Sequence, residues 1–400
     1  MTAAEVGAGA PVREASWFGW MLAFAFVLAP VAGWVGPLAF APIVGLSGFL
    51  CLGALRIEER DRPAALAILV LATWALVSMV WSPFHPTKAG QATAMKLILQ
   101  GVLYWALFRA AGSMTSASRA LALRIFAWGM ALLGALLAIE ALTGAGVYQA
   151  LRQAMNDPIR PDLAVKNVAQ GGFVLAVLTP AAALAGWRTG AGVLPGLLMA
   201  AGILGASFGL DADAPIIALT FSALAAWAVW RWPVWTPRVI GGLAAALFLA
   251  APAVVWATRQ LGWFQTLERE VPLSWSMRMS YWRHAADWIG DHPLRGWGID
   301  ASRMFGPGIT LHPHNGPLQI WLELGLIGAT AAAVFWFVAI ASQSQPRRDV
   351  GRGVAVATAV AYLTFSAVSF GVWQEWWLAV GGLAAAGCMA VQRQGRAENA

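Results

Sequence analysis

Residues 278–328 read RMSYWRHAADWIGDHPLRGWGIDASRMFGPGITLHPHNGPLQIWLELGLIG. Arginine, histidine, aspartate, glycine and aromatic residues gather between Arg278 and Asn315. From Gly316 the pattern becomes an apolar helix whose polar residues are Gln319 and Glu323. A water-facing segment therefore runs straight into a membrane span. Polar and ionisable groups are expensive beside lipid, so their concentration at one membrane edge marks a candidate site.

The rest of the chain sets that tract in an all-α, polytopic membrane protein. Of its 400 residues 59% are hydrophobic and 11% charged, with mean hydropathy +0.65; soluble domains carry about 25% charge. Apolar runs suited to spans of roughly 20 residues occur about twelve times, at 16–34, 37–54, 63–82, 97–112, 120–142, 169–187, 193–210, 215–230, 239–257, 317–341, 354–372 and 377–392. The run at 97–112 is short, and only the turn at Gly33–Pro37 separates the first two. No repeat, heptad run or low-complexity linker divides the chain. The expectation is one integral membrane domain, 1–400, with a large insert at 258–316 between spans nine and ten.

Arginine sits in alternate short loops: Arg56, Arg60 and Arg62, then Arg119 and Arg124, then Arg188, Arg231, Arg238, Arg347, Arg348 and Arg352. The positive-inside rule makes that side cytoplasmic, with both termini there. Met1–Ser16 contains Glu5 and Glu14, has Arg13 as its sole basic residue and precedes a full-length span, unlike a cleaved signal peptide. The five histidines (His85, His284, His292, His312, His314) and three lysines (Lys88, Lys96, Lys166) then fall outside, in segments near 82–96, 143–168 and 258–316. The topology rule counts short loops, so these external cations need another reason to exist, and an anionic ligand is the simplest. Their placement argues against nucleic acid as a partner, despite a pI near 10.1. Cys51 and Cys388 fall in spans near the inner side and are not expected to pair. The 23 tryptophans, many near span ends, fit an interfacial belt.

Within the insert, 277–290 has helical periodicity. Tyr281, Trp282, Ala285 and Ile289 share one face, with Ser280, His284, Asp287 and Asp291 opposite. Arg283 and Asp287 are spaced for an i,i+4 ion pair on the wet side. Arg278 falls within the apolar face; it either snorkels to lipid headgroups or points inward at an anionic group. His292-Pro293 ends the helix, and Gly296 and Gly298 permit a turn or close backbone approach.

His312-Pro313-His314-Asn315-Gly316-Pro317 opens the tenth span. Asn315 or Gly316 can cap it, and Pro317 suits its first turn. The positive end of that helix favours an anion and disfavours a protonated His314. A neutral imidazole there can take a proton from an incoming hydroxyl; equally, His314 and Asn315 can serve only to cap the helix and bond the loop. His312 reads as a support or a substrate contact. Glu323 is either functional, as an intramembrane carboxylate, or structural, pairing with a buried arginine to hold the loop. Arg160 and Lys166 from segment 156–167, and Lys88 from segment 81–88, can reach the pocket of Arg278 or anchor at the interface. No Cys/His or carboxylate set with metal-ligand spacing surrounds His312 and His314, and neither a P-loop nor a dinucleotide fingerprint is present.

The tract resembles the O-antigen ligase and O-antigen polymerase superfamily, most closely the ligases. Members show an arginine followed by an aromatic-rich helix, then a His-Pro-Leu-x-Gly-x-Gly turn, then a His-Asn pair before a helix of the form Leu-Gln-x-x-x-Glu-x-Gly-x-x-Gly. Here these are Arg278, Tyr281 and Trp282; His292 to Gly298; His314 and Asn315; and Leu318, Gln319, Glu323, Gly325 and Gly328. An earlier family arginine looks like Arg160, although the glycine of its usual Arg-x-x-Gly pattern is Leu163 here.

The resemblance implies a GT-C-like, metal-independent glycosyltransferase without cofactor. Its donor would be a glycan on undecaprenyl pyrophosphate and its acceptor lipid A–core oligosaccharide, at the periplasmic face of a Gram-negative inner membrane. Arg278 and Arg160 would stabilise the leaving phosphate, and His314 would take the acceptor proton. Lys88, Lys166, His312, Asn315, Arg283 and Glu323 complete the set of candidate substrate contacts. Asp211-Ala212-Asp213 is similar to the acidic motif of metal-using glycosyltransferases, but only two aspartates in a minimal turn carry that likeness. Two other expectations stand beside the ligase: a polymerase, whose acceptor is a second lipid-linked glycan, and a non-enzymatic transporter or lipid flippase. Clustering of the polar residues at one face rather than at midplane weighs against transport.

Overall fold

The computed structural model describes residues 14–397, all helix, turn and loop. In chain order the helices are α1 (Ser16–Val35), α2 (Phe40–Leu50), α3 (Arg62–Ser78), α4 (Thr93–Ala111), α5 (Ser116–Thr143), α6 (Gly146–Ala154), α7 (Pro161–Arg188), α8 (Leu194–Gly209), α9 (Ala214–Arg231), α10 (Trp235–Gln260), α11 (Trp263–Glu270), α12 (Leu273–Asp291), α13 (Gly316–Ala341), α14 (Val350–Val368) and α15 (Glu375–Ala397). Helices stand at all twelve positions where the apolar runs lead one to expect spans. Among the described residues, eight are long and apolar enough to cross a bilayer: α1, α3 with the turn before it, α5, α7, α9, α10, α13 and α14. α2 and α8 are shorter apolar helices, while α4 carries Lys96 and Arg109, and α15 carries Glu375, Arg393 and Arg396.

Helix is what lipid demands, because only intrasegment bonding satisfies a backbone without water. Proline opens α7, α8, α9 and α13, where a missing N–H costs nothing. Asn315 and Asp349 cap α13 and α14 by accepting the N–H groups of Leu318 (2.9 Å) and Gly351 (2.8 Å). Without a hydrophobic drive between helices in lipid, small residues set the crossings. α5 and α8 meet at Gly134 and Gly202, where a Cβ on Gly202 would come within 2.5 Å of Gly134 backbone atoms.

α3, α13, α14, α15 and α4 pack as a ring, with α10 against α13 and α9 against α14; α1, α5, α7 and α8 form the adjoining bundle. Two buried ionisable groups tie loops to this frame. Glu140 accepts Trp34 Nε1–H (2.7 Å) and Val147 N–H (3.1 Å) at one face. Arg109 bonds Asp61 (2.8 Å) and Glu58 at the other. Cys51 and Cys388 are free and buried.

Three elements depart from expectation in ways that bear on the site. α7 begins at Pro161 rather than 169, so Lys166 stands on a helix. α12 runs from Leu273 to Asp291, beyond 277–290 at both ends, and α11 precedes it. α13 is not one continuous helix: Gly325 adopts φ 63°, ψ −160° and splits it into two segments.

Candidate functional site

The break at Gly325 builds the site. The turn after α12 inserts there and takes over the helix's backbone bonds. Trp297 N–H donates to Leu322 O and Gly298 N–H to Glu323 O, both at 2.8 Å, while Pro293 O accepts Leu326 N–H at 2.8 Å. Such irregular backbone survives at membrane depth only when protein satisfies it. The glycines are steric requirements of this interlock. A Cβ on Gly296 would lie 2.4 Å from the Glu323 carbonyl, and one on Gly325 the same distance from Leu294 O. The His-Pro-Leu-x-Gly-x-Gly and Glu-x-Gly motifs thus form one object, joined across the gap in α13.

Glu323, fully buried, holds this object to the loop above it. Its carboxylate accepts from Asp300 N–H (2.8 Å), Ser302 Oγ (2.6 Å), Gln319 Nε2 (3.1 Å) and Trp373 Nε1 (2.6 Å). The pairing with a buried arginine read from the sequence does not occur; four hydrogen-bond donors replace it. Both oxygens are committed internally, so Glu323 acts here as a loop holder rather than as an exposed contact.

Asn315 caps α13 and its loop presents both histidines. His314, at φ 52°, sits in the left-handed region. Its Nδ1–H donates to Ser369 O (2.8 Å), and no group among the described residues bonds Nε2. Its ring is parallel to Tyr281, 6.1 Å between centroids, and tilted against His312 at 4.2 Å. Trp282 Nε1–H fixes the same loop through Pro313 O (3.0 Å). His312 Nδ1 lies 3.1 Å from His314 N–H and accepts it, and its Nε2 lies 3.3 Å from the Gln374 side-chain amide.

Both imidazoles are held below the usual histidine range. Burial, then His314, then Arg303 push His312 down to about 3. Burial chiefly lowers His314; the Ser369 carbonyl opposes that and Arg278 adds to it. Arg278 is half-buried on α12 and lies 5.2 Å from the Trp275 ring centre. Each histidine thus has an arginine for a neighbour, Arg278 for His314 and Arg303 for His312.

Beyond His312 a cavity of about 400 Å³ opens, lined by Thr93, Lys96, Arg303, Gln374, Glu375 and Trp376 among others. Lys96 pairs with Glu375 (2.6 Å), and Arg303 with Asp300 (3.0 Å). Burial raises the Asp300 carboxyl, opposed by the Thr93 hydroxyl, Arg303 and Lys96. Sequence reading did not assign Lys96, Arg303 or Asp300 to a site. Lys96 had a signal, an external lysine at a span start; Arg303 and Asp300 lay in a loop without a motif.

The other candidates stand apart. Arg160 is 75% exposed in its side chain and bonds Asp162 through Nε (3.0 Å) and Nη2 (2.8 Å). Lys166 and Lys88 are exposed, and among the described residues no contact joins them to the histidines. The Arg283–Asp287 pair is also absent. Arg283 meets Glu268 on α11 (3.3 Å) and Asp287 meets Arg259 on α10 (2.5 Å), because neighbouring helices offer closer partners than the next turn. The segment carrying Lys88 reaches the site through other residues. Ser82 Oγ donates to Ile299 O (2.7 Å), Trp81 Nε1 to Gly296 O (3.2 Å), and Phe84 lies under Arg303. Among the described residues no group of three or more His, Cys, Asp or Glu is arranged to hold a metal ion.

An all-helical polytopic membrane protein with a histidine pair beside arginines at one face is the class this defines. Residues 197–333 match a family described as O-antigen ligase, and every element from Arg278 to Gly328 lies inside that match. The resemblance read from those motifs is borne out over this region, which is similar to the O-antigen ligase family. A Rickettsia conorii protein provisionally named a polysaccharide ligase is 27% identical over 118 residues, 26% of this chain and 29% of that protein. A Rickettsia bellii protein of the same provisional name is 30% identical over 117 residues, 26% of this chain and 28% of its own length. The chain therefore spans less than a third of the length of the relatives it matches.

Proposed function

We propose that this protein is an O-antigen ligase: it transfers a glycan from undecaprenyl pyrophosphate to lipid A–core oligosaccharide, without metal, at the periplasmic face of a bacterial inner membrane. The chain crosses that membrane twelve times in this reading, with both termini cytoplasmic. His314 carries the proposal, because its Nδ1–H is committed to Ser369 O while Nε2 keeps a free lone pair. That nitrogen takes the proton of the acceptor hydroxyl as the hydroxyl oxygen attacks the anomeric carbon. The bond from that carbon to the diphosphate oxygen breaks, and the diphosphate leaves with the electron pair. Arg278 stabilises the growing charge, joined by Arg160 once it leaves Asp162; arginine suits this through its planar, permanently charged fork. A single in-line displacement inverts the anomeric configuration. The family match and the provisional names of the relatives support the ligase reading.

The test is reconstitution of the purified chain with lipid-linked glycan and lipid A–core. Conjugate forms in EDTA, and His314→Ala slows its formation about 10²- to 10⁴-fold. Full activity of His314→Ala would remove the general base, and product formed only from two lipid-linked glycans would make the protein a polymerase.

A further inference from the structure

The ring of α3, α4, α13, α14 and α15 encloses a second cavity, of about 500 Å³, that the transfer reaction does not use. It runs from Gly316 and Trp373 below the histidine loop to Arg60, Arg352, Gln392 and Arg396 at the opposite face. Its length is apolar, lined by Leu71, Phe108, Trp336, Ala359 and Tyr362 among others. Only the far mouth is strongly charged. Arg56, Arg60, Arg109, Arg352, Arg393 and Arg396 surround it, against the carboxylates of Glu58, Asp61 and Asp349. Glu58 and Asp61 are already shared among Arg56, Arg60 and Arg109. Among the described residues neither Arg393 nor Arg396 has a carboxylate partner, the buried Nε of Arg393 has no hydrogen-bond partner, and Arg352 Nε meets Asp349 only at 3.8 Å. An excess of arginine at the mouth of an apolar interhelical cavity is the arrangement that takes a lipid headgroup.

We propose that this cavity is a binding site for one anionic glycerophospholipid, its phosphate at Arg352 and Arg396 and one acyl chain between α3, α4 and α13–α15. The volume suits a single fatty chain and falls far short of a long polyisoprenoid, which separates this ligand from a polyprenyl carrier. The inference does not rest on the glycosyl-transfer reading. It gives the lipid a role all the same, because Trp373, which bonds Glu323, lines both cavities. A chain in place supports the wall of the site from behind.

Native mass spectrometry of the purified full chain, incubated with phosphatidylglycerol or with phosphatidylcholine of identical acyl chains, tests this. Phosphatidylglycerol should be retained roughly tenfold more strongly, because the choline cation of phosphatidylcholine cancels its phosphate charge in front of the arginines while phosphatidylglycerol stays anionic. Arg396→Gln, at an exposed position that leaves the fold intact, should reduce that preference, and Arg352→Gln with it should abolish it. Ala359→Phe should lower retention of both lipids by filling the chain's path. Equal retention of the two lipids, or an unchanged preference in the double variant, overturns the site. Undecaprenyl phosphate retained in place of phosphatidylglycerol, with the same loss in Arg396→Gln, overturns the choice of occupant.

Discussion

Two arginines from opposite ends of the chain's middle are both candidates for the same phosphate, and the structure treats them differently. Arg278 belongs to a helix whose next turn stacks Tyr281 on His314 and ties Trp282 to Pro313. It is half-buried and its charge is felt at His314. Arg160 stands just before α7, largely in solvent, and bonds a neighbour two residues away. A cation inside an interlocked tract is placed by that tract, whereas a cation at a helix start is placed by whatever anion is nearest. Arg278 also lies inside the family match, and Arg160 lies outside it.

The largest effect expected belongs to the tract. His314→Ala should lower kcat about 10²- to 10⁴-fold, the usual worth of a general base, while thermal unfolding moves little, since the loop keeps its Pro313, Ser302 and Asn315 bonds. Arg278→Gln should follow at about 10²- to 10³-fold in kcat, the cost of one preorganised donor to a developing oxyanion. A kcat for Arg278→Gln within a factor of three of wild type, measured alongside His314→Ala, would dissolve the contrast between the two arginines.

Gly325→Ala attacks the scaffold instead. The backbone there is open to glycine alone, and the new methyl would lie 2.4 Å from Leu294 O. The strain is worth about 1–3 kcal/mol before any clash. The variant should melt well below wild type and lose activity with its fold. Ala substitution at Gly242, where nothing lies within 4 Å, is the control and should be silent. If Gly325→Ala melts like wild type, the inserted turn does not hold α13 open.

The same contrast explains what the sequence could and could not reveal. The helices were legible because apolar runs of span length have few other fates. The cap at Asn315 and the close approach at Gly296 were legible because local chemistry decides them. The break at Gly325 was not: Leu324 and Leu326 continue the apolar run, and the donors that open it come from Trp297 and Gly298, more than twenty residues away. Arg283 and Asp287 misled for a related reason. Their spacing fits a pair, but α10 and α11 bring Arg259 and Glu268 closer. Arg303 was invisible as a site residue because only the fold places it beside His312; Lys96 was legible as an external cation, but its pairing with Glu375 comes from the fold.

Arg160→Gln should cost less than Arg278→Gln, about tenfold in kcat/KM, because its guanidinium must leave Asp162 and works in high dielectric. Asp162→Asn should act in the opposite direction, freeing Arg160 and raising activity slightly. If Arg160→Gln costs as much as Arg278→Gln, binding of the donor reorganises the start of α7 far more than its resting ion pair implies.

The smallest effect separates the two arginines most cleanly, through pH. With His314 as the proposed base, activity should rise with pH as the imidazole loses its proton. Burial lowers its pKa and Arg278 lowers it further, so in wild type the acid limb should lie below the ordinary histidine value of about 6.5. Arg278→Gln removes one cause and leaves burial in place. The imidazolium becomes easier to form, and the acid limb of kcat/KM should move up while staying below its ordinary position. Arg160 is not among the groups that shift His314, so Arg160→Gln should lower the plateau and leave the limb where it was. An equal upward movement in both variants would mean that the two guanidinium groups share one neighbourhood in the working enzyme, and that the exposed, self-paired Arg160 is only its resting state.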